Sequence, residues 1–263
     1  MIHPTACVHP TVCVPNSCRV GPFCVIEEGV HLGENVILDA HVVLKEGCWL
    51  EEAVVVHSQA VLGDDPQIAN QDFHFKSGVW IGAQTILREG VTVHRASQEG
   101  KYTKIGKRCL LMVGAHVGHD TCVADDCILA NQTLLAGCVS IQSHVFLSGG
   151  SMVHQFCHVG ESAFIAGNAV VTMHVPPFTT VLERNCASNL NVVGLKRRGF
   201  TSNEVADIKK AYRYVYGTDS LSFRKKAEEY LHKGSCETQR GRQFLEFFLQ
   251  EKADRGFVYP NIH

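Results

Sequence analysis

The sequence predicts an all-β fold, a left-handed parallel β-helix of hexapeptide repeats, followed by a small α-helical C-terminal domain. Three observations predict it. Stepping by six from Ile105 gives Leu111, Val117, Val123, Leu129, Leu135, Ile141, Leu147, Val153, Val159, Ile165 and Val171, twelve aliphatic residues without a miss. Four places after each of the first eleven stand Cys109, Ala115, Thr121, Cys127, Thr133, Val139, Val145, Ser151, Cys157, Ala163 and Ala169, none larger than Val. Near the C-terminus the period of six gives way to helical spacing.

A strict period of six fits a short strand plus a turn. Strand side chains alternate, so the small residue and the aliphatic residue two places later both point inward. Three hexads make one triangular coil of eighteen residues, and coils stack about 4.8 Å apart. The same period starts at Ile2 and runs through Val8, Val14, Val20, Ile26, Leu32, Leu38, Leu44, Leu50 and Val56 to Leu62. Gly21, Gly33, Gly63, Gly106, Gly118 and Gly160 each follow an inward aliphatic residue, where a tight corner is expected to need a positive φ.

The β-helix is expected over residues 1–190, with polar excursions at 64–78 and 95–104. An excursion from a regular solenoid is expected to line a binding face. Pro176 and Pro177 should stop regular strand pairing, and residues 178–200 read as irregular. The helical domain is expected over 191–263. Thr201 with Glu204 resembles a capping box, and Val205, Ile208, Ala211, Tyr212 and Val215 lie at helical spacing up to Gly217. Residues 220–233 and 236–252 read as two further amphipathic helices.

Composition narrows the classes of function. The formal net charge of −2 over 263 residues gives no electrostatic case for nucleic acid. No apolar run reaches membrane-spanning length, and the first residues resemble neither a signal peptide nor a transit segment. None of the twelve cysteines forms a Cys-x-x-Cys pair, and six (Cys18, Cys24, Cys48, Cys109, Cys127, Cys157) fall at the small inward position. Reduced structural thiols in a cytoplasmic protein are expected.

Coil arithmetic locates a candidate site. His119, Gly137 and Gln155 are eighteen apart and stack on one corner, flanked by His116, Asp120, Cys138 and His154. His119 has the chemistry of a general base, Asp120 of its orienting partner, and the backbone at Gly137 of an oxyanion donor. A zinc set of His116, His119 and His154 competes with that reading. So do exposed turn histidines, since the chain has fifteen.

Asn70-Gln71-Asp72, His94-Arg95, Ala115-His116-Val117-Gly118-His119-Asp120, Leu135-Ala136-Gly137, Val153-His154-Gln155-Phe156 and Gly194-Leu195-Lys196-Arg197-Arg198-Gly199-Phe200 occur in this order. Together they closely resemble the acyl-carrier-protein:UDP-N-acetylglucosamine O-acyltransferases of lipid A biosynthesis, over essentially the whole chain. The resemblance implies transfer of a (3R)-3-hydroxyacyl group from acyl carrier protein to the sugar 3-hydroxyl, with no cofactor and no metal. It implies a homotrimer with sites between subunits. His119, Asp120 and Gly137 match the base, its partner and the oxyanion donor. Gln71, Asp72, His74, His94, His116, His154 and Gln155 match substrate contacts, and Asn191, Arg197 and Arg198 match groups around the nucleotide. Phe164 and Gly167 fall where acyl-chain length is set and point in opposite directions. Cys138 stands where the family commonly has His, His74 where a Lys is usual, and Val193 where an acidic residue is sometimes found. An acyl-thiol role for Cys138, a 3-amino sugar acceptor, the later N-acyltransferase of the same pathway, a non-lipid hexapeptide acyltransferase, a solenoid carbonic anhydrase and a non-catalytic scaffold are the alternatives.

Overall fold

The computed structural model describes residues 1–72, 74–217, 220–250 and 255–260. The coils form as the period requires. All twelve aliphatic residues from Ile105 to Val171 and all eleven small partners are buried. Each inward aliphatic side chain contributes roughly 1.5–3 kcal/mol by leaving water. Among the described residues, three sheets of nine, seven and eleven strands form the faces of the prism. Strands pair in parallel at a separation of eighteen, as in His116↔Leu134 and Leu134↔Met152. The chain visits the first, second and third sheets in turn: Cys122–Val123 lies in the second, Ile128–Leu129 in the third and Leu134–Leu135 in the first.

The corners correct one expectation. Of the six glycines, only Gly63 is left-handed, at φ +89°. The left-handed position lies two places further on, the third after the inward aliphatic residue. Arg108, Asp120, Asp126, Gln132, Cys138, His144, Phe156, Ser162 and Asn168 occupy it with φ between 54° and 65°. Gly118 serves close approach instead, since a Cβ there would lie 2.7 Å from the Ala136 carbonyl carbon of the next coil.

The cysteines pack as small inward residues. The thiols of Cys18, Cys24, Cys48, Cys109 and Cys127 donate to backbone carbonyl oxygens. Burial pushes the Cys48 thiol up to about 12, so it stays protonated.

The repeat does not stop at the prolines. Ile165 pairs in parallel with Val181, a separation of sixteen instead of eighteen. Thr179–Leu182 then turns back antiparallel against Cys186–Leu190. The segment read as irregular also contains a short helix, α1 (Val192–Arg197), with Asn191 as its N-cap. Next comes α2 (Ser202–Val215), whose capping box joins Thr201 and Glu204 as expected. The two later helical readings correspond to α3 (Phe223–His232) and to α4 (Gln239–Glu246) with a 3-10 turn over Phe247–Leu249. Positions 251 and 252 of the last reading lie outside the described residues. Phe244 and Phe248 are fully buried between these helices. No helix among the described residues is long and apolar enough to cross a membrane.

One corner organises the rest. The first excursion leaves between Val61–Asp64 and Gly78–Ile81, the second between Thr92–His94 and Tyr102–Ile105. Both are passages from the first sheet to the second. His119 sits in the same passage, between His116–Val117 and Cys122–Val123. Both excursions and the polar ridge therefore share one edge of the prism.

Candidate active site

His119 and Asp120 form a dyad on that edge. The His119 Nδ1 lies 2.7 Å from a carboxylate oxygen of Asp120, and each side chain is 17% exposed. A carboxylate only accepts, so Nδ1 carries the hydrogen and Nε2 of the neutral ring is left as an acceptor. Nε2 points over Gly137: a Cβ there would come within 2.5 Å of it. Among the described residues the Gly137 amide has no acceptor, whereas the neighbouring Cys138 amide donates to the His119 carbonyl at 2.8 Å. A base and a spare backbone donor thus face each other across one coil spacing.

The flanking histidines differ. His116 is half-buried, its Nδ1 2.8 Å from the Thr92 hydroxyl and its ring edge-on to His94 at 5.3 Å. Burial first, then His94, holds its pKa below the ordinary histidine value. His94 also bonds the Asp65 carbonyl through Nδ1. His154 and Gln155 are exposed. His116 and His154 line a largely apolar cavity of about 390 Å³ on the first sheet, with Leu134, Met152 and Val170. Gln67 of the first excursion closes over it. Gln71, Asp72 and His74 are exposed, with a loose 3.9 Å contact between His74 and Asp72. His74 lines a separate cavity of about 420 Å³ with Arg95, Asp65 and Lys76.

The three histidines of the zinc reading do not form a ligand cluster among the described residues. The group whose donor atoms all lie within 4.8 Å of one another is His119, Asp120 and Cys138.

The residues expected around a nucleotide lie elsewhere on this chain. Asn191 accepts from the Gly194 amide at 3.0 Å and donates to the Ser162 carbonyl at 3.0 Å, tying α1 to the corner between the second and third sheets. Arg198 donates to Glu161 at 2.8 Å on that corner, and its guanidinium lies over the Phe200 ring. Arg197 is exposed. Phe164 stacks on Phe146 in the third sheet, 5.5 Å between centroids. Gly167 stacks beside Gly149 at the corner between the third and first sheets.

Comparison with known proteins joins these placements to a family. Residues 174–258 match a family model described as UDP-N-acetylglucosamine O-acyltransferase, domain 2. An Aliivibrio fischeri protein named acyl-acyl-carrier-protein–UDP-N-acetylglucosamine O-acyltransferase is 34% identical over 98% of this chain and 97% of its own. The chain belongs to the UDP-N-acetylglucosamine O-acyltransferase family. A Synechocystis member is 40% identical, over 61% of this chain and 58% of its own length. The solved structure of the Francisella novicida UDP-N-acetylglucosamine acyltransferase superposes with a TM-score of 0.92 at 33% identity, covering 100% of this chain and 95% of that one. A Bacteroides fragilis relative superposes with a TM-score of 0.91 at 28% identity, covering 98% of this chain and all of that one. The fold is the left-handed parallel β-helix of these acyltransferases, with the helices at the C-terminal end.

In this family member the second excursion supplies Ser97 and Thr103, which no motif marks. The Ser97 amide donates to Asp120 at 3.0 Å and its hydroxyl to the other carboxylate oxygen at 2.6 Å. The Thr103 hydroxyl accepts from the Asp120 amide at 2.8 Å. Arg95 joins the excursions, donating to Asp65, the Phe75 carbonyl and the Ser77 hydroxyl at 2.8 to 2.9 Å. No spacing rule marks Ser97, because a non-repeating loop carries it to the corner.

Proposed function

We propose that the chain transfers a (3R)-3-hydroxyacyl group from acyl carrier protein to the 3-hydroxyl of UDP-N-acetylglucosamine, the first step of lipid A biosynthesis. The observation that carries this reading is the His119–Asp120 dyad facing Gly137 beside an apolar cavity. His119 Nε2 takes the proton of the sugar hydroxyl as the oxygen attacks the thioester carbonyl. Asp120, held by Ser97, keeps the ring oriented and balances the imidazolium that forms. The Gly137 amide receives the oxyanion. The carbon–sulfur bond then breaks, and the leaving thiolate recovers the proton from His119. No enzyme-bound acyl group is required. The Cys138 thiol also suits nucleophilic attack poorly, since burial and then Asp120 raise its pKa.

The acyl chain runs from the dyad over Leu134, Met152 and Val170 toward the Gly167 corner. Gly167, where a Cβ would meet only the Gly149 carbonyl oxygen at 3.4 Å, sets how far it extends. The active unit is a homotrimer. Arg197, on the far corner of one subunit, reaches the phosphates at the dyad edge of the next. Arg198 stays with Glu161 and supports that corner.

His119→Ala tests the chemistry. Transfer should fall about 10²–10⁴-fold while the trimer persists. Mixing His119→Ala chains with Arg197→Ala chains tests the shared site. Recovery of activity in mixed trimers is expected; none, with mixing demonstrated, would place both residues in one subunit's site.

A further inference from the structure

We propose that His119, Asp120 and Cys138 form a site for a soft divalent cation, zinc foremost, and that its occupation switches off acyl transfer. The inhibition rests on the proposed role of His119; the binding does not.

Asp120 and Cys138 are the left-handed corner residues of consecutive coils, at φ 58° and 60°. One therefore stacks directly on the other, with His119 alongside. Ring nitrogen, carboxylate oxygen and sulfur already lie within 4.8 Å of one another. The backbone beneath them is pinned, since the Cys138 amide donates to the His119 carbonyl and the Asp120 amide to Thr103, both at 2.8 Å. Ligand atoms around a tetrahedral zinc sit roughly 3.3–3.8 Å apart, given bonds of about 2.0–2.3 Å. Rotation of the side chains closes the difference without moving a coil. All three are partly open to solvent, so a hydrated ion can enter.

The donor set selects the ion. Imidazole, carboxylate and thiol suit zinc and cobalt, whereas magnesium and calcium prefer oxygen alone. The thiol releases its proton to water as the sulfur–metal bond forms, and water fills the fourth position. The metal displaces that proton, so binding tightens as pH rises. Either ring nitrogen of His119 that binds the metal leaves the dyad broken or the base blocked. Cys138 distinguishes this corner from a plain His–Asp dyad.

The probe is Co²⁺, titrated into the full-length chain after removal of metals by a chelator. A thiolate-to-cobalt charge-transfer band in the near-ultraviolet, with tetrahedral d–d bands, should saturate at one ion per chain. Zn²⁺ should bleach it. Exposed Cys7, Cys13 and Cys122 offer adventitious sulfur, so the triple Ser variant at these positions should keep the band. Cys138→Ser should lose it, and zinc should inhibit that variant at least tenfold less tightly. A band that survives Cys138→Ser, or a wild-type chain without one, overturns the site. A Cys138-dependent band in a chain devoid of transfer activity upholds the site and removes the functional reading.

Discussion

Gly137→Ala separates chemistry from folding. The added Cβ would lie 2.5 Å from His119 Nε2, 2.6 Å from Cε1 and 2.9 Å from Cδ2. Ordinary contact begins near 3.4 Å, so the ring must retreat by about 1 Å. A shift of that size breaks the 2.7 Å bond to Asp120. A misplacement of about 1 Å at a reacting group costs about 10²-fold. The backbone bears no matching penalty. Gly137 is not left-handed, and the atoms in the way belong to a side chain that can swing out. The amide proposed to receive the oxyanion remains. The assay is steady-state transfer from 3-hydroxyacyl carrier protein, with thermal denaturation run alongside. A kcat lowered about 10²-fold or more is expected, with a melting temperature within a few degrees of wild type. Gly167→Ala is the control: it should leave kcat with short chains unchanged and weaken use of long ones. Wild-type turnover by folded Gly137→Ala would refute the placement of the base over this glycine.

Three further outcomes follow. Ser97→Ala removes the 2.6 Å bond to the Asp120 carboxylate and should lower kcat roughly tenfold to a hundredfold, with a displaced acid limb in the pH–rate profile, the limb that reports the base; an unmoved profile would assign Ser97 to loop structure alone. His116, held below the ordinary histidine pKa by burial and then His94, should remain neutral from neutrality down past about pH 6.5. An NMR titration of its ring with a midpoint at or above that value would contradict this. Glu161 receives Arg198, Arg240 and Gln243. Burial alone would raise its pKa, but Gln243, Arg198 and Arg240 bring it below the ordinary carboxylate value. The folded pKa is the depressed one, so this stabilisation is complete above about pH 4.5 and is lost as pH falls through the lower folded value. Glu161→Gln should cost roughly 2 kcal/mol at neutral pH and flatten that acid limb in melting experiments. An equally steep limb in the variant would place the acid sensitivity elsewhere.

The coils were legible because each inward position answers to one rule, aliphatic or small, every six residues. The site was legible in part for the same reason. A separation of eighteen places His119 over Gly137, and the structure keeps them there. The corner was misread. A glycine after the aliphatic residue suggests the left-handed position, but Asp120, Cys138 and their equivalents hold it. Their side chains tolerate that backbone at a modest cost, so composition gives no warning. The end of the solenoid departs from expectation because proline weighs against pairing in general, yet a coil two residues short carries Pro176 and Pro177 around the turn and pairs again at Thr180. Helix α1 escaped because six residues hold too little periodicity to see, although Asn191 before them is a capping residue. Ser97 and Gln67 lie in loops, where spacing carries no geometric meaning. Their roles appear only once both excursions are seen to leave from the same edge.

The most direct test of the account is product identity. The wild-type chain is given 3-hydroxyacyl carrier protein with UDP-N-acetylglucosamine and, separately, with the 3-amino analogue, and the product, freed of carrier protein, is challenged with alkaline hydroxylamine. A monoacylated UDP-N-acetylglucosamine that hydroxylamine cleaves, absent with His119→Ala, is the predicted result. A hydroxylamine-resistant product formed only from the amino sugar would contradict the proposed O-acylation and make the acceptor an amine.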